Sequence, residues 1–152
     1  MNNLKELDYI NILNKKALEE RVPILGICLG MQLLAKNSEE GNSLGFGWID
    51  ASIKKFKIED KLRWKVPHMG WNSIQIQRDD TLLNNINQGE LFYFVHSFYM
   101  INHNKEDVLA TTDYSGVFTS VVQRENIFGT QFHPEKSHKQ GRDLIANFLS
   151  KT

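Results

Sequence analysis

Three features of this 152-residue sequence predict an α/β fold. A short apolar run passes directly into helical spacing near residue 30. Helix-like periodicity stands at both ends of the chain, and short β-favouring runs separated by turn residues fill the middle. The pivotal stretch is Val22-Pro23-Ile24-Leu25-Gly26-Ile27-Cys28-Leu29-Gly30-Met31-Gln32-Leu33-Leu34-Ala35. Through Ile27 it reads as a buried strand, and beyond Gly30 the residues Met31, Leu34 and Ala35 fall at helical spacing. Cys28 lies at the junction in a Gly-x-Cys-x-Gly frame, the thiol version of the strand-turn-helix elbow that lifts a nucleophile above a sheet. Flanking glycines relieve crowding in so tight a turn. Amides at a helix N-terminus favour thiolate there. The plainer use of a lone cysteine is as a small buried hydrophobe.

Composition narrows the field. Lysine plus arginine equals aspartate plus glutamate at 18 each, so no basic surface points to nucleic acid. One cysteine excludes an internal disulfide framework and a paired-cysteine metal knuckle. No apolar run reaches membrane-spanning length, and the N-terminus lacks the basic-then-apolar pattern of a signal peptide. A cytoplasmic protein of one domain, residues 1–152, is expected, with no membrane or nucleic-acid partner.

Residues 2–20 read as an amphipathic helix with Leu4, Leu7, Ile10, Leu13, Ala17 and Leu18 on one face, ended by Arg21 and Pro23. The elbow follows, and residues 37–47, rich in Ser, Asn, Glu and Gly, read as a surface loop. Residues 48–58 alternate as a half-buried strand, with Ile49, Ala51 and Ile53 inward against Trp48, Asp50 and Ser52. A charged turn leads to Pro67-His68-Met69-Gly70-Trp71-Asn72, the entry to a strand over 73–77. Residues 91–100, dense in aromatics, predict a central strand carrying His96 and Ser97. Three more strands are expected over 108–113, 119–124 and 127–132, then a helix over 140–150 with Leu144, Ile145, Phe148 and Leu149 on its apolar face.

A nucleophilic cysteine needs a base, and the base needs an orienting acceptor. His133 follows a predicted strand at its carboxyl end, where α/β folds place their sites. Glu135 stands two residues on, and in extended backbone i and i+2 point the same way. Cys28, His133 and Glu135 thus form a candidate catalytic triad. Taken singly, His133 and Glu135 have plainer uses as a structural histidine and a solvated acid. The rival grouping of Cys28, His96, His133 and Glu135 around a metal lacks any recognised ligand spacing, so neither metal nor cofactor is expected.

These motifs together, Gly26-Ile27-Cys28-Leu29-Gly30-Met31-Gln32 with Thr130-Gln131-Phe132-His133-Pro134-Glu135, resemble the class I (triad) glutamine amidotransferases, a flavodoxin-like open-sheet α/β family. The segments 67–72, Tyr93-Phe94-Val95-His96-Ser97 and His133-Pro134-Glu135-Lys136-Ser137 are similar to the glutaminase subunits of imidazole glycerol phosphate synthases. The resemblance implies a glutaminase that hydrolyses glutamine through Cys28, His133 and Glu135, with the Leu29 amide as oxyanion donor. It further implies that Gly30, Gln32 and the backbone of His96, Ser97 and Phe98 hold glutamine. Ammonia would pass to a (β/α)₈-barrel synthase partner in histidine biosynthesis, met through His68, Met69, Trp71 and Lys136.

Two departures qualify this expectation. The family opens with strands and a glycine-rich loop carrying a second oxyanion donor, and this sequence aligns only after them. An N-terminally truncated domain of impaired catalysis, or a non-catalytic interaction subunit, is therefore an alternative. The segment Gly47-Trp48-Ile49-Asp50 resembles paralogues linked to surface-polysaccharide genes, whose ammonia acceptor is a sugar.

Overall fold

The computed structural model describes residues 1, 4 and 6–151. The helix expected over 2–20 lies partly outside them. Within them it is a short helix α1 (Tyr9–Asn14) that runs into a wide π turn, Lys15–Glu19. Asp8 takes left-handed backbone, φ 52°, and interrupts the pattern before α1. The π turn then breaks the 3.6-residue phase. As a result Ala17 and Leu13 reach the core while Leu7 and Leu18 stay exposed, contrary to a continuous apolar face.

The remaining elements follow in order: β1 (Ile24–Ile27), α2 (Leu29–Leu33), β2 (Asn37–Ser38), β3 (Ser43–Leu44), β4 (Ala51–Lys55), β5 (His68–Ser73), β6 (Gln75–Ile76), β7 (Leu91–His96), β8 (Phe98–Asn102), β9 (Val108–Asp113), β10 (Val117–Arg124), β11 (Ile127–Thr130) and α3 (His138–Leu149). Among the described residues nine strands build one open sheet in the order β1-β11-β10-β8-β4-β2-β3, with β9 on β10 and β6 on β9. The pairs β1–β11 and β2–β4 are parallel and the others antiparallel. The open α/β sheet is as expected. The loop over 37–47 is more ordered than expected, since β2 and β3 pair within it and β2 joins the sheet through β4.

The aromatic run is not one central strand. It breaks at Ser97, where the His96 ring donates through Nδ1 to the Phe98 carbonyl at 2.7 Å and turns the chain. Among the described residues β7 pairs only with β5, while β8 lies inside the large sheet. Alternation along the strands divides the core in two. Phe92, Phe94, Phe118, Phe128, Phe132 and Leu144 belong to one apolar cluster; Met31, Ile49, Ile53, Met100, Val122 and Ile127 belong to the other. Trp48 is buried rather than outward, stacked on Phe46 with ring centroids 4.2 Å apart and donating to Asn14 at 2.8 Å.

Candidate active site

β1 and β11 run parallel in the register Ile27 to Thr130, and the Cys28 amide donates to the Thr130 carbonyl at 2.7 Å. Cys28 and the His133 segment therefore leave the sheet at the same edge. Cys28 holds φ 50° and ψ −106°, a strained conformation for a residue with a side chain and the mark of a nucleophile elbow. Gly26 is required for this turn, because a Cβ there would stand 2.6 Å from the Gly30 backbone carbon. Gly30 is not required sterically, since its Cβ position faces open space.

The HPE turn is pinned to β7. The His133 amide donates to the Tyr93 carbonyl at 2.9 Å, and the Ser137 hydroxyl accepts from the Tyr93 amide at 3.0 Å while donating to the His133 carbonyl at 2.6 Å. Residues Pro134–Lys136 form a 3₁₀ turn, so Glu135 reaches His133 around a turn rather than along extended backbone. The pair forms nonetheless: His133 Nδ1 lies 2.7 Å from Glu135 Oε1. This fixes the hydrogen on Nδ1 and leaves Nε2 free to work as a base.

The thiol itself is not yet turned to that base. Among the described residues, the Cys28 sulfur hydrogen-bonds to the Val95 carbonyl at 3.8 Å and to the Gln131 side-chain amide at 3.7 Å. Burial pushes the thiol up from its ordinary pKa, and the charges of Glu135 and Glu40 add to this. The Leu29 backbone N–H and the Gln131 amide pull the other way. The expected preference for thiolate at the helix start is opposed by the partial burial of the thiol, and α2 is only five residues long. The Leu29 backbone N–H lies near enough to the sulfur to favour its charged form.

The residues expected to hold substrate divide. Gln32 spends both amide hydrogens inside the protein, on the Phe98 carbonyl and on Gln131 Oε1, each at 3.0 Å. The Ser97 carbonyl accepts from the Phe56 amide, and His96 is buried. Two residues were not singled out from sequence. Gln131 became a candidate only through its contact with the sulfur. Glu40, with Leu29, Gln32, Leu33, Ser38 and Ser43, lines a cavity of about 210 Å³ beside the elbow. A larger cavity of about 630 Å³, among β8, β9 and β10, holds none of the candidate residues.

The expected partner-facing residues also divide. β5 alternates, so Met69 (62% exposed) and Trp71 (43%) point outward while His68 (2%) points in. His68 therefore cannot meet a partner directly; its Nδ1 lies 3.0 Å from His96 Nε2. Lys136 is exposed, with Nζ 6.0 Å from the Tyr93 ring, and Trp71 stacks on His138 at 4.7 Å. Among the described residues no group of three or more His, Cys, Asp or Glu could hold a metal ion, and no helix is long and apolar enough to cross a membrane.

A strained cysteine elbow and a histidine–carboxylate pair leave the same edge of an open α/β sheet, the parts that thiol-dependent acyl transfer requires. The family model for class-I glutamine amidotransferases matches residues 5–152, and the chain belongs to that family of enzymes. Its relatives narrow the class. The imidazole glycerol phosphate synthase subunit HisH 2 of Methanococcus maripaludis is 52% identical over 149 residues, 98% of this chain and 73% of that protein. Subunit HisH of Leptospira borgpetersenii is 46% identical over 151 residues, 99% of this chain and 74% of that protein. A glutamine amidotransferase structure from Thermotoga maritima shares the fold, with TM-score 0.65 at 19% identity, over 99% of this chain and 56% of that one.

Proposed function

We propose that this chain is the cytoplasmic glutaminase subunit of an imidazole glycerol phosphate synthase, feeding ammonia to a (β/α)₈-barrel synthase subunit in histidine biosynthesis. The observation that carries the reading is the strained Cys28 elbow at the same sheet edge as the 2.7 Å His133–Glu135 pair. The 52% identity to a HisH subunit supports this choice of partner reaction over a sugar-linked acceptor.

Cys28 passes its proton to His133 Nε2, and the thiolate attacks the carboxamide carbon of glutamine. The developing oxyanion takes the Leu29 amide. The C–N bond then breaks, with His133 returning the proton to the departing ammonia, and a glutamyl thioester remains. Water adds with His133 as base, the C–S bond breaks, and glutamate leaves with the thiol restored. Glu135 orients the imidazole and stabilises its charged form. Glu40 supplies a carboxylate of the right sign for the α-ammonium of glutamine, and Gly30 leaves room for it.

The test is covalent labelling with a diazo-ketone analogue of glutamine, read by mass spectrometry. The reading expects rapid modification of Cys28, blocked by excess glutamine and absent in Cys28→Ala. A thiol that reacts with a general alkylator but not with the analogue would overturn it. Co-purification with the synthase subunit and ammonia transfer to a phosphoribosyl acceptor, rather than to a nucleotide-linked sugar, would identify the second half of the reaction.

A further inference from the structure

A continuous line of hydrogen bonds ends on the Cys28 sulfur, and its polarity can be read because a backbone carbonyl only accepts. The Phe98 carbonyl takes the Gln32 amide at 3.0 Å. Gln32 gives its other amide hydrogen to Gln131 Oε1, also at 3.0 Å. Gln131 must then turn its own NH₂ group to the sulfur, 3.7 Å away. Flipping Gln131 would set two NH₂ groups against each other. Flipping Gln32 would set its oxygen against two other oxygens. Gln131 is 0% exposed, so no bulk water offers its amide another partner.

The carbonyl is held from its other side as well. His96 Nδ1–H donates to it at 2.7 Å, which leaves His96 Nε2 to accept from His68 Nδ1–H at 3.0 Å. His68 Nε2 accepts in turn from the Asn72 amide at 3.3 Å. Every group in the line has one orientation that satisfies its neighbours.

We infer that Gln131 is a positioning residue for the Cys28 nucleophile, its amide N–H held on the sulfur by Gln32 and the Phe98 carbonyl. The inference rests on Cys28 being the nucleophile. A hydrogen bond to a charged acceptor is stronger than one to a neutral acceptor, so this N–H favours thiolate over thiol and opposes the burial of the site. It acts twice in the reaction: on the attacking thiolate, and on the thiolate that leaves when the C–S bond of the thioester breaks. Gln32 thereby has a role beside any contact with glutamine, as the group that denies Gln131 its other orientation.

Because the chain has a single cysteine, the thiol can be titrated directly by the rate of alkylation with iodoacetamide against pH, with no glutamine present. Gln131→Met keeps the volume and removes the donor. It is expected to raise the apparent thiol pKa by about one unit, which is ~10-fold slower alkylation at pH 7. Gln32→Met never touches the sulfur, yet it should shift the profile in the same direction, and the double variant should match Gln131→Met alone. Profiles that superimpose on the parent, in variants whose melting shows them folded, overturn the inference. Should Gln131→Met melt below the assay temperature, the Gln32→Met profile decides by the same criterion. The two readings fail separately. A chain with the shift but no labelling by the glutamine analogue loses only its proposed function, and a labelled chain with no shift loses only the positioning role.

Discussion

His68 and His96 are two imidazoles packed side by side, and among the described residues no carboxylate forms an ion pair with either. Burial lowers His68 to about 3, helped by the neighbouring His96. Burial likewise lowers His96 to about 4, although its bond to the Phe98 carbonyl works against this. Both are therefore neutral at pH 7, which the one-way hydrogen bonding between them also requires. Stability follows with a definite sign. The unfolded chain takes up protons below about 6.5 and the folded chain does not until about 4, so unfolding gains protons across that window. The contribution is fully present above pH 6.5 and is lost as pH falls toward 4 and then 3. Melting temperature should drop by roughly 5 °C or more between pH 7 and pH 4.5. His68→Phe should start lower at pH 7, having orphaned His96 Nε2, but show a shallower slope. Equal slopes in parent and variant would assign the acid sensitivity elsewhere.

At the scale of elements, two glycines join helices to the site and a third does not. Gly141 lets α3 close on the HPE turn: a Cβ there would collide with the Pro134 carbonyl. Gly26 plays the same part between β1 and α2. Gly26→Ala and Gly141→Ala should each destabilise the fold by ~2 kcal/mol or more, because the obstructing atoms are backbone and cannot rotate away. Gly30→Ala should leave the melting temperature within about 2 °C, since its Cβ would enter open space, and under the proposed function it should act instead on KM. A Gly30→Ala protein as unstable as Gly26→Ala would contradict this division. The motif Gly-x-Cys-x-Gly treats the two glycines alike; only the close approach of α2 to β1 separates them.

Over the whole molecule, one exposed face gathers Met69, Trp71, Lys136 and His138 around the aromatic Tyr93, displaced from the interior by the alternation of β5 and β7. If the proposed synthase subunit docks on this face, Trp71→Ala is expected to weaken its binding at least 10-fold, as loss of a large aromatic anchor does, with little change in melting temperature. Unchanged affinity in titration calorimetry would move the interface elsewhere. Inside that face, His68 and Asn72 link β5 to the Phe98 carbonyl.

The α/β rhythm and the elbow were legible in order because each depends on residues close in sequence: apolar periodicity and a glycine frame; the pairing of His133 with Glu135 forms too, but around a 3₁₀ turn rather than along the extended backbone that their spacing suggested. The strand over 108–113 was legible for the same reason, and the one expected over 119–124 starts two residues earlier, at Val117. What depended on distant partners was not. Whether Cys28 titrates low or high turns on its burial and on Glu135 and Gln131, more than a hundred residues away in the chain. The inward turn of His68 follows from its cross-strand partner His96, and the break of the aromatic run at Ser97 from a ring bonding back to Phe98. Local spacing selects the chemistry this chain can attempt. Burial and cross-strand hydrogen bonds, which exist only once the sheet has closed, decide the protonation and orientation of the groups that carry it out.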